Sequence, residues 1–342
     1  MPPTRTIGID IKHEGREYGL TSLDYMDLAE AAERAGYESF WTNEDIGYDS
    51  LGLMSAASQR TSRIKLGTAI VNCYTRSAYQ LGMAIATLDE LSGGRAELGI
   101  STGHHPWNDL SHGMPIEAPV ARLREYVQFL KKQLTGDAFK HDGRFFPGVD
   151  SQLHFEPVRR AIPIHIAAIR PQMTKLAGEV ADGIILNVVT ADYVRSTIVD
   201  RFRSAAKDAA RDPDELEVTA LVTCCVLDDR EQAIDQARQT FCFRIRRGLG
   251  MLDILAPEYH EETRYLHQLI QEGKREQAEM EASEALVTQV MNAGSPDDIW
   301  AGLQKYFDAG CTRVVTVAYP RAKADIERLI QALAPRLAGV AA

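Results

Sequence analysis

The feature that most constrains this chain is a rhythm. Short runs of β-branched and aliphatic residues alternate with longer amphipathic stretches almost from end to end. Thr6–Ile11, Ser39–Thr42, Ile64–Val71 and Ala96–Ser101 read as strands, with helices over 22–35, 50–59, 78–91 and 119–134. The rhythm resumes with strands Pro163–Ala168, Gly183–Asn187, Glu217–Leu227 and Arg313–Val317, and helices 171–180, 191–209, 229–247, 296–309 and 321–338. Gly36, Ser92-Gly93-Gly94 and Gly310 stand where helices must stop. Two segments break the pattern. Over 139–156, Asp142-Gly143 between apolar flanks signals a hairpin insertion. Residues 248–290, rich in Glu, Gln and Arg with scattered Leu, Ile and Met, read as a helical insertion.

Eight strand–helix units predict an α/β fold, a (β/α)₈ TIM barrel, with 1–342 as a single domain. Runs such as Val314-Val315-Thr316-Val317 and Gly183-Ile184-Ile185-Leu186 are apolar throughout, as strands covered on both faces are. An open doubly wound sheet is the alternative. It would want a reversal of strand order and a glycine-rich first turn, but the turn here is Lys12-His13-Glu14-Gly15, without G-x-G-x-x-G.

Composition narrows the function classes. The formal charge is −10, which argues against a nucleic-acid surface. The local basic cluster Arg244, Arg246 and Arg247 reads as a solvated helix face. Five cysteines without C-x-x-C spacing point to reduced, buried thiols and a cytoplasmic protein. No secretory h-region and no apolar run of roughly 20 residues is present, so no membrane span is expected.

In a barrel the chemistry gathers on the loops after the strands' C-terminal ends. Those loops carry Asp10, Lys12 and His13; Asn43, Glu44 and Asp45; Thr68, Ala69, Ile70 and Asn72, then Tyr74-Thr75-Arg76; Ser101, Thr102, Gly103, His104, His105 and Trp107; Ala167, Ala168, Ile169, Arg170 and Pro171; and Asn187. Carboxylates, histidines and an arginine stand among small residues that let a planar ligand approach the backbone. Adjacent side chains on an extended loop diverge, so His104-His105 is a poor chelate, and no Cys/His spacing supports zinc. No metal is expected.

Several segments carry a family resemblance. Ile64-Lys65-Leu66-Gly67-Thr68 and Asn72-Cys73-Tyr74-Thr75-Arg76, continuing through Ala86–Arg95 to Leu98-Gly99-Ile100, resemble the signature of luciferase-like flavin and F420 oxidoreductases. Pro163–Ala168, Leu176-Ala177-Gly178-Glu179 and Ala181-Asp182-Gly183 are similar to a second stretch of that superfamily. Within it the chain most resembles F420-dependent methylenetetrahydromethanopterin reductases, supported by Thr223-Cys224-Cys225 before an acidic turn and by the helical insertion.

The resemblance implies an oxidoreductase, expected to be a reductase, that moves a hydride between coenzyme F420 and a small organic substrate. It implies a strand-three bulge at Ala69–Ile70, often with a non-prolyl cis peptide, backing the central ring of the cofactor. It places the cofactor phosphate near Ala168, Ile169, Arg170, Pro171, Gln172 and Met173, where N–H groups and a helix dipole suit an anion. Many relatives carry Gly where this chain has Arg170, which suits phosphate or a polyglutamate tail but alters the approach. Thr68, Asn72, Ser101, Thr102, Gly103, Ala167 and Asp45 complete the expected cofactor contacts. Asp10 falls where the reductases carry an acid beside the reacting carbons. The alternative for Asp10 is an inward carboxylate paired with a cation such as Lys12. Glu44, with Asp45, is expected to contact the cofactor or relay a proton, with a helix N-cap as the alternative. His104 is a further acid–base candidate, and His13, His105 and Trp107 are expected on the substrate side. A homodimer or dimer-based tetramer is the expected assembly. Two other readings share the fold: an FMN-dependent monooxygenase, and a flavin-binding protein that has lost catalysis. Tyr74-Thr75-Arg76 and the insertion favour F420, and intact Asp10 and Glu44 speak against lost catalysis.

Overall fold

A computed structural model describes residues 5–12, 19–44, 47–103, 107–246 and 256–337. Its strands are β1 (Thr6–Ile11), β2 (Ser39–Thr42), β3 (Lys65–Thr68), β4 (Val71–Asn72), β5 (Ala96–Ser101), β6 (Phe139–His141), β7 (Val149–Ser151), β8 (Ile164–Ala167), β9 (Gly183–Asn187), β10 (Glu217–Val226), β11 (Asn292–Gly294) and β12 (Arg313–Ala318). Eight of these, all parallel, close on themselves in the order β1-β2-β3-β5-β8-β9-β10-β12, so the expected barrel is the fold. The helices are α1 (Ser22–Ala35), α2 (Ser50–Ser58), α3 (Ala78–Ser92), α4 (Trp107–His112), α5 (Pro119–Gln133), α6 (Pro171–Val180), α7 (Ala191–Tyr193), which runs through a π-turn into α8 (Val199–Asp208), α9 (Arg230–Ile245), α10 (His260–Gln271), α11 (Arg275–Glu281), α12 (Glu284–Val290), α13 (Pro296–Asp308) and α14 (Lys323–Leu337).

Local chemistry sets these boundaries. Thr21 and Asp24 form a capping box at the start of α1, and Gly36 ends it in the left-handed region at φ 91°. Ser295 and Asp298 do the same for α13, with Pro296 in its first turn. Between barrel and helices lies a continuous apolar shell that includes Ile9, Leu66, Ile100, Ile164, Leu186 and Val314. Each fully buried aliphatic side chain of this kind contributes roughly 1.5–3 kcal/mol. Inside the barrel, Trp41, Ala69, Ile185, Leu221, Val315 and Val317 pack together. Gly67 makes room for the indole: a Cβ there would stand 2.3 Å from Trp41.

The N-terminal end of the barrel is closed by charge. Arg313, 1% exposed, reaches Glu97 at 2.6 Å, Glu217 at 3.1 Å and Glu38 at 3.5 Å. Lys65 pairs with Glu38 at 2.5 Å, and His165 Nε2 lies 3.2 Å from Glu97. Burial pushes the Glu97 carboxyl up, but the Arg313 guanidinium and His165 hold it well below the usual range.

Several elements differ from expectation. The hairpin β6–β7 forms, but its loop spans 142–148 rather than two residues, because Glu125 of α5 accepts from the N–H groups of Phe145 and Phe146 and holds the loop open. Helix α4 and strand β11, which pairs with β10, were not expected. Helix α9 does not pack as a simple barrel helix. It forms a second apolar cluster with the inserted α10, α11 and α12, built from Ala237, Phe241, Leu266, Ala278 and Leu286 among others. Periodicity shows that a helix buries one face, not which neighbour covers it.

Candidate active site

The C-terminal end of the barrel gathers those of the expected residues that are described. Asp10, on β1, is 1% exposed. Its Oδ2 lies 2.5 Å from Lys12 Nζ, and Lys12 also donates to the carbonyl of Ala69 at 3.1 Å. Strand one is thereby tied to strand three. The Tyr25 hydroxyl, 3.4 Å from the Lys12 carbonyl, is pushed up by burial first and by the Asp10 charge second. The alternative reading of Asp10 is seen here: the carboxylate is inward, buried and paired with Lys12.

Between β3 and β4 the Ala69–Ile70 peptide is cis, at the position where the resemblance placed a bulge. The Ile70 carbonyl accepts from the Glu44 N–H at 2.9 Å, which brings the loop after β2 against it. The Glu44 side chain is held by Arg76, whose Nε lies 3.1 Å from Oε1, and Arg76 also binds Asp49. The α2 cap is Asp49, not Glu44.

The loops after β3–β4 and β5 are clasped by Asn72, whose Nδ2 donates to Asn108 Oδ1 at 2.8 Å while its Oδ1 accepts from Tyr74 N–H at 3.0 Å. Gly103, at φ 71°, passes so close that a Cβ would stand 2.3 Å from Asn72 and 2.4 Å from Asn108. Thr68 is buried in the wall and exchanges two hydrogen bonds with Gly99, at 2.9 and 3.0 Å. Ser101 donates to the Ala167 carbonyl at 3.1 Å. Ile70, Ser101, Thr102, Gly103 and Ala167 are half-buried although the strands beneath them are closed off. Backbone, the small side chains of Ser101, Thr102 and Ala167, Gly103 and the branched Ile70 form a partly accessible floor across three adjacent strand ends.

Beyond that floor lies the start of α6. The Ala168 N–H already donates to Ile185 O at 3.1 Å, and the Ile169 carbonyl accepts from Tyr193 at 3.2 Å. Pro171 has no N–H, so the donors facing outward in this first turn are those of Gln172 and Met173. Arg170 caps the helix by position only; its exposed side chain makes no cap bond.

His13, Asp45, His104 and His105 lie outside the described residues, as does the side chain of Trp107 at the start of α4. Three residues went unrecognised in the sequence. Asn108 clasps the β5 loop. Arg321, 7% exposed, follows the cis Tyr319–Pro320 bond. Arg244, read as part of a solvated face, is instead partly buried and donates to Thr223 Oγ1 of β10 at 2.6 Å. Its spacing from Ala237, Thr240 and Phe241, all buried on α9, was the available signal.

Among the described residues one acid–histidine group has metal-like spacing: Glu97, His165 and Glu217 bring ligand atoms within 4.8 Å. It lies at the opposite end of the barrel, and the Arg313 guanidinium fills the space between the carboxylates.

Comparison with known proteins fixes the family. The luciferase-like monooxygenase family model matches residues 11–313. The chain belongs to that family. It is an enzyme of the luciferase-like fold, and no helix among the described residues is long and apolar enough to cross a membrane. A 5,10-methylenetetrahydromethanopterin reductase from Archaeoglobus fulgidus is 27% identical, covering 96% of this chain and 97% of its own. One from Methanopyrus kandleri is 28% identical over 84% of this chain and 86% of its own. The solved structure of the coenzyme F420 dependent tetrahydromethanopterin reductase from Methanopyrus kandleri superposes with a TM-score of 0.85 at 25% identity, covering 97% of both chains. The resemblance read from the motifs therefore holds for family and fold.

Proposed function

We propose that this luciferase-like enzyme is an F420-dependent oxidoreductase, acting as a reductase on a small organic substrate. The observation that carries the reading is the accessible floor at Ile70, Ser101, Gly103 and Ala167, set beside the buried Asp10–Lys12 pair that reaches it through the Ala69 carbonyl. The floor suits a planar ring, because small side chains and backbone let it approach closely. The F420 dependence of a relative that matches 97% of the chain favours the deazaflavin over FMN.

Bound on that floor, the deazaflavin would supply or accept a hydride. The chain's own share is orientation, exclusion of water and the proton. Ile70, Ser101, Gly103 and Ala167 would seat the ring, and the N–H groups of Gln172 and Met173 would take a phosphate. A substrate C=N, C=C or C=O that gains a hydride leaves an atom in need of a proton. The Asp10–Lys12 pair holds one at the mouth, between Oδ2 and Nζ, and Asp10 delivers it. Arg76 fixes Glu44, and Glu44 in turn braces the Ile70 carbonyl beneath the ring. Residues 1–342 then act as one domain, assembled as a homodimer or a dimer-based tetramer; sedimentation at micromolar concentration would show a single monomeric species if that assembly is wrong.

The deciding experiment titrates purified protein with reduced F420 and, separately, with FMN. Micromolar or tighter F420 binding with clearly weaker FMN binding is expected. Equal or preferred FMN binding moves the reading to an FMN-dependent monooxygenase on the same fold.

A further inference from the structure

The side chains inside the barrel stack in layers that the strand register fixes. Strands of an eight-stranded barrel tilt, so hydrogen-bonded partners drift along the axis by about one residue per strand. Ser101 continues the β5–β8 register beside Ala167, Ala167 pairs with Ile185, Ile185 with Thr219, and Thr219 with Arg313. Corrected for the drift, Ser101 lies level with Asn187 and Val317, and the same count through β1 and β2 adds Asn43. These four come from alternate strands and face the axis, as a barrel layer does. The layer beneath holds Asp10, Ala69, Ala167 and Leu221. Below that stand Trp41, Gly99, Ile185 and Val315, of which Trp41, Ile185 and Val315 pack together in the barrel core.

Asn187 stands apart in the top layer. Asn43 and Val317 are buried, and Ser101 donates to the Ala167 carbonyl. Asn187 is exposed, although Ile184, Ile185 and Leu186 before it are at most 1% exposed, and among the described residues its amide has no hydrogen-bond partner. A side chain that is both inward and exposed borders open space in the mouth. Its backbone, by contrast, is held. Val188 leaves the strand at φ 56°, a left-handed conformation that β-branched residues rarely adopt. Tyr306 donates to the Val189 carbonyl at 2.8 Å, Thr190 caps α7, and Tyr193 donates to the Ile169 carbonyl at 3.2 Å. Such backbone outliers persist where their surroundings over-determine them, and they gather at ligand sites.

The cofactor floor occupies the ends of β3, β5 and β8, one side of the mouth. Asn187 on β9 begins the other side and Asp10 on β1 ends it, three strand spacings or about 14 Å apart along the wall. Leu221 and Val317 lie between them. No charged side chain shares the layer of Asn187. Asp10 beneath is paired with Lys12, and Arg244, which reaches neighbouring β10, is taken up by Thr223 and by further contacts. A carboxamide offers two N–H donors and a carbonyl acceptor without charge. We infer that Asn187 is a specificity-determining residue, and that it recognises an uncharged donor–acceptor group of the substrate, a carboxamide or lactam, remote from the atom protonated at Asp10. This rests on the active-site reading above.

Benzamide and benzoate serve as probes, because they share a shape and differ in charge. Each is titrated by calorimetry into F420-loaded protein and into the chain alone. The loaded wild type should bind benzamide saturably in the millimolar range, and benzoate about tenfold more weakly or worse. Asn187→Leu should weaken benzamide about five- to tenfold, the worth of one or two hydrogen bonds, with F420 affinity changed less than about threefold. Asn187→Asp should reverse the preference and bind benzamidine, the cationic isostere, about tenfold more tightly than benzamide. Benzamide binding that is absent in wild type, or equal in wild type and Asn187→Leu, overturns the inference, as does benzoate bound as tightly as benzamide. A loss of F420 affinity larger than the loss of benzamide affinity would assign the amide to the cofactor and overturn it too. If Asn187→Leu does not fold, Asn187→Asp decides, and an unaltered order of probes overturns it. Asn187-dependent benzamide binding in a chain that fails to bind F420 would overturn the cofactor reading and leave the recognition site standing.

Discussion

The two ends of the barrel hold the same kinds of residue and use them oppositely. At the N-terminal end Arg313, Glu97, Glu217, Glu38, Lys65 and His165 form one ion-pair network, with Arg313 and His165 each 1% exposed and Lys65 and Glu217 reaching the surface. At the C-terminal end Asp10 is as deeply buried, but its partner Lys12 reaches the loop at Ala69, on a side of the barrel where Ile70, Ser101, Gly103 and Ala167 are half-buried. Residue type alone would have chosen the wrong end, since the carboxylate–histidine group with metal-like spacing lies at the bottom. The difference is the space beside the charges. A network centred on a guanidinium leaves no room for a guest; the ion pair at the other end reaches the Ala69 carbonyl, next to the half-buried Ile70.

The sharpest way to break this comparison is at the top. Asp10→Asn keeps the shape and removes the titrating group. Turnover should fall by about 10²–10⁴, or roughly 3–5 kcal/mol of barrier, with F420 affinity changed less than about tenfold. Single-turnover and binding measurements on one preparation separate the two. Normal turnover on the true substrate would make Asp10 a structural partner of Lys12 and send the proton through another group or water.

At the bottom the loss should appear in stability. Arg313→Met leaves Glu97 buried without its main cation, a change that costs about 3–5 kcal/mol when one partner of a buried pair is removed. Denaturant unfolding should show that loss, while F420 affinity of the folded fraction stays within about twofold. A selective loss of cofactor binding with stability intact would mean that the two ends are not separate in function.

Acid sharpens the point more gently. Glu97 is held below its ordinary value in the fold, so its contribution is present above its unfolded pKa, about 4.3, and is lost as pH falls through the folded value. Glu97→Gln should therefore be less stable than wild type at neutral pH; the gap should begin to narrow below about pH 4.3 and close only as pH falls through the lower folded value. Parallel stability curves down to pH 2 would show that Glu97 does not titrate with folding.

How much of this was legible in the sequence follows from what periodicity encodes. Seven of the eight barrel strands fall within a residue or two of their expected places, because a doubly covered strand is apolar throughout and glycine marks the ends of its helices; the third, expected over Ile64–Val71, ends at Thr68, before the Ala69–Ile70 peptide. Asp10, Glu44, Ser101 and Ala167 were found by the rule that chemistry follows strand ends. Partners were not legible. Arg244 meets Thr223 across 21 positions, Arg313 meets Glu97 across 216, and Asn108 meets Asn72 across 36; no local pattern records such contacts. Helix α4 is a single short piece of six residues, too brief for its period to stand out. The role of α9 failed for a related reason: its buried face is visible in the chain, but the α10–α12 helices that cover it are not.

The smallest expected effect concerns Arg170, at the start of α6. Its side chain is exposed and makes no cap bond, so it stands beside the first turn of α6 as a solvated cation. Two unit charges about 4 Å apart in water interact by only about 1 kcal/mol, and salt screens them further. If the cofactor phosphate or an acidic tail sits at that turn, Arg170→Gln should weaken F420 binding by about two- to fivefold at low ionic strength. The difference should vanish near 1 M salt, where the screening length is about 3 Å. The N–H groups of Gln172 and Met173 are unaltered by the substitution, so most of the affinity should remain. An unchanged dissociation constant at low salt would place the anionic part of the cofactor away from α6. A loss beyond about fiftyfold would mean that Arg170 is drawn out of solvent when the ligand binds, and the top of the barrel would then close over its guest rather than merely admit it.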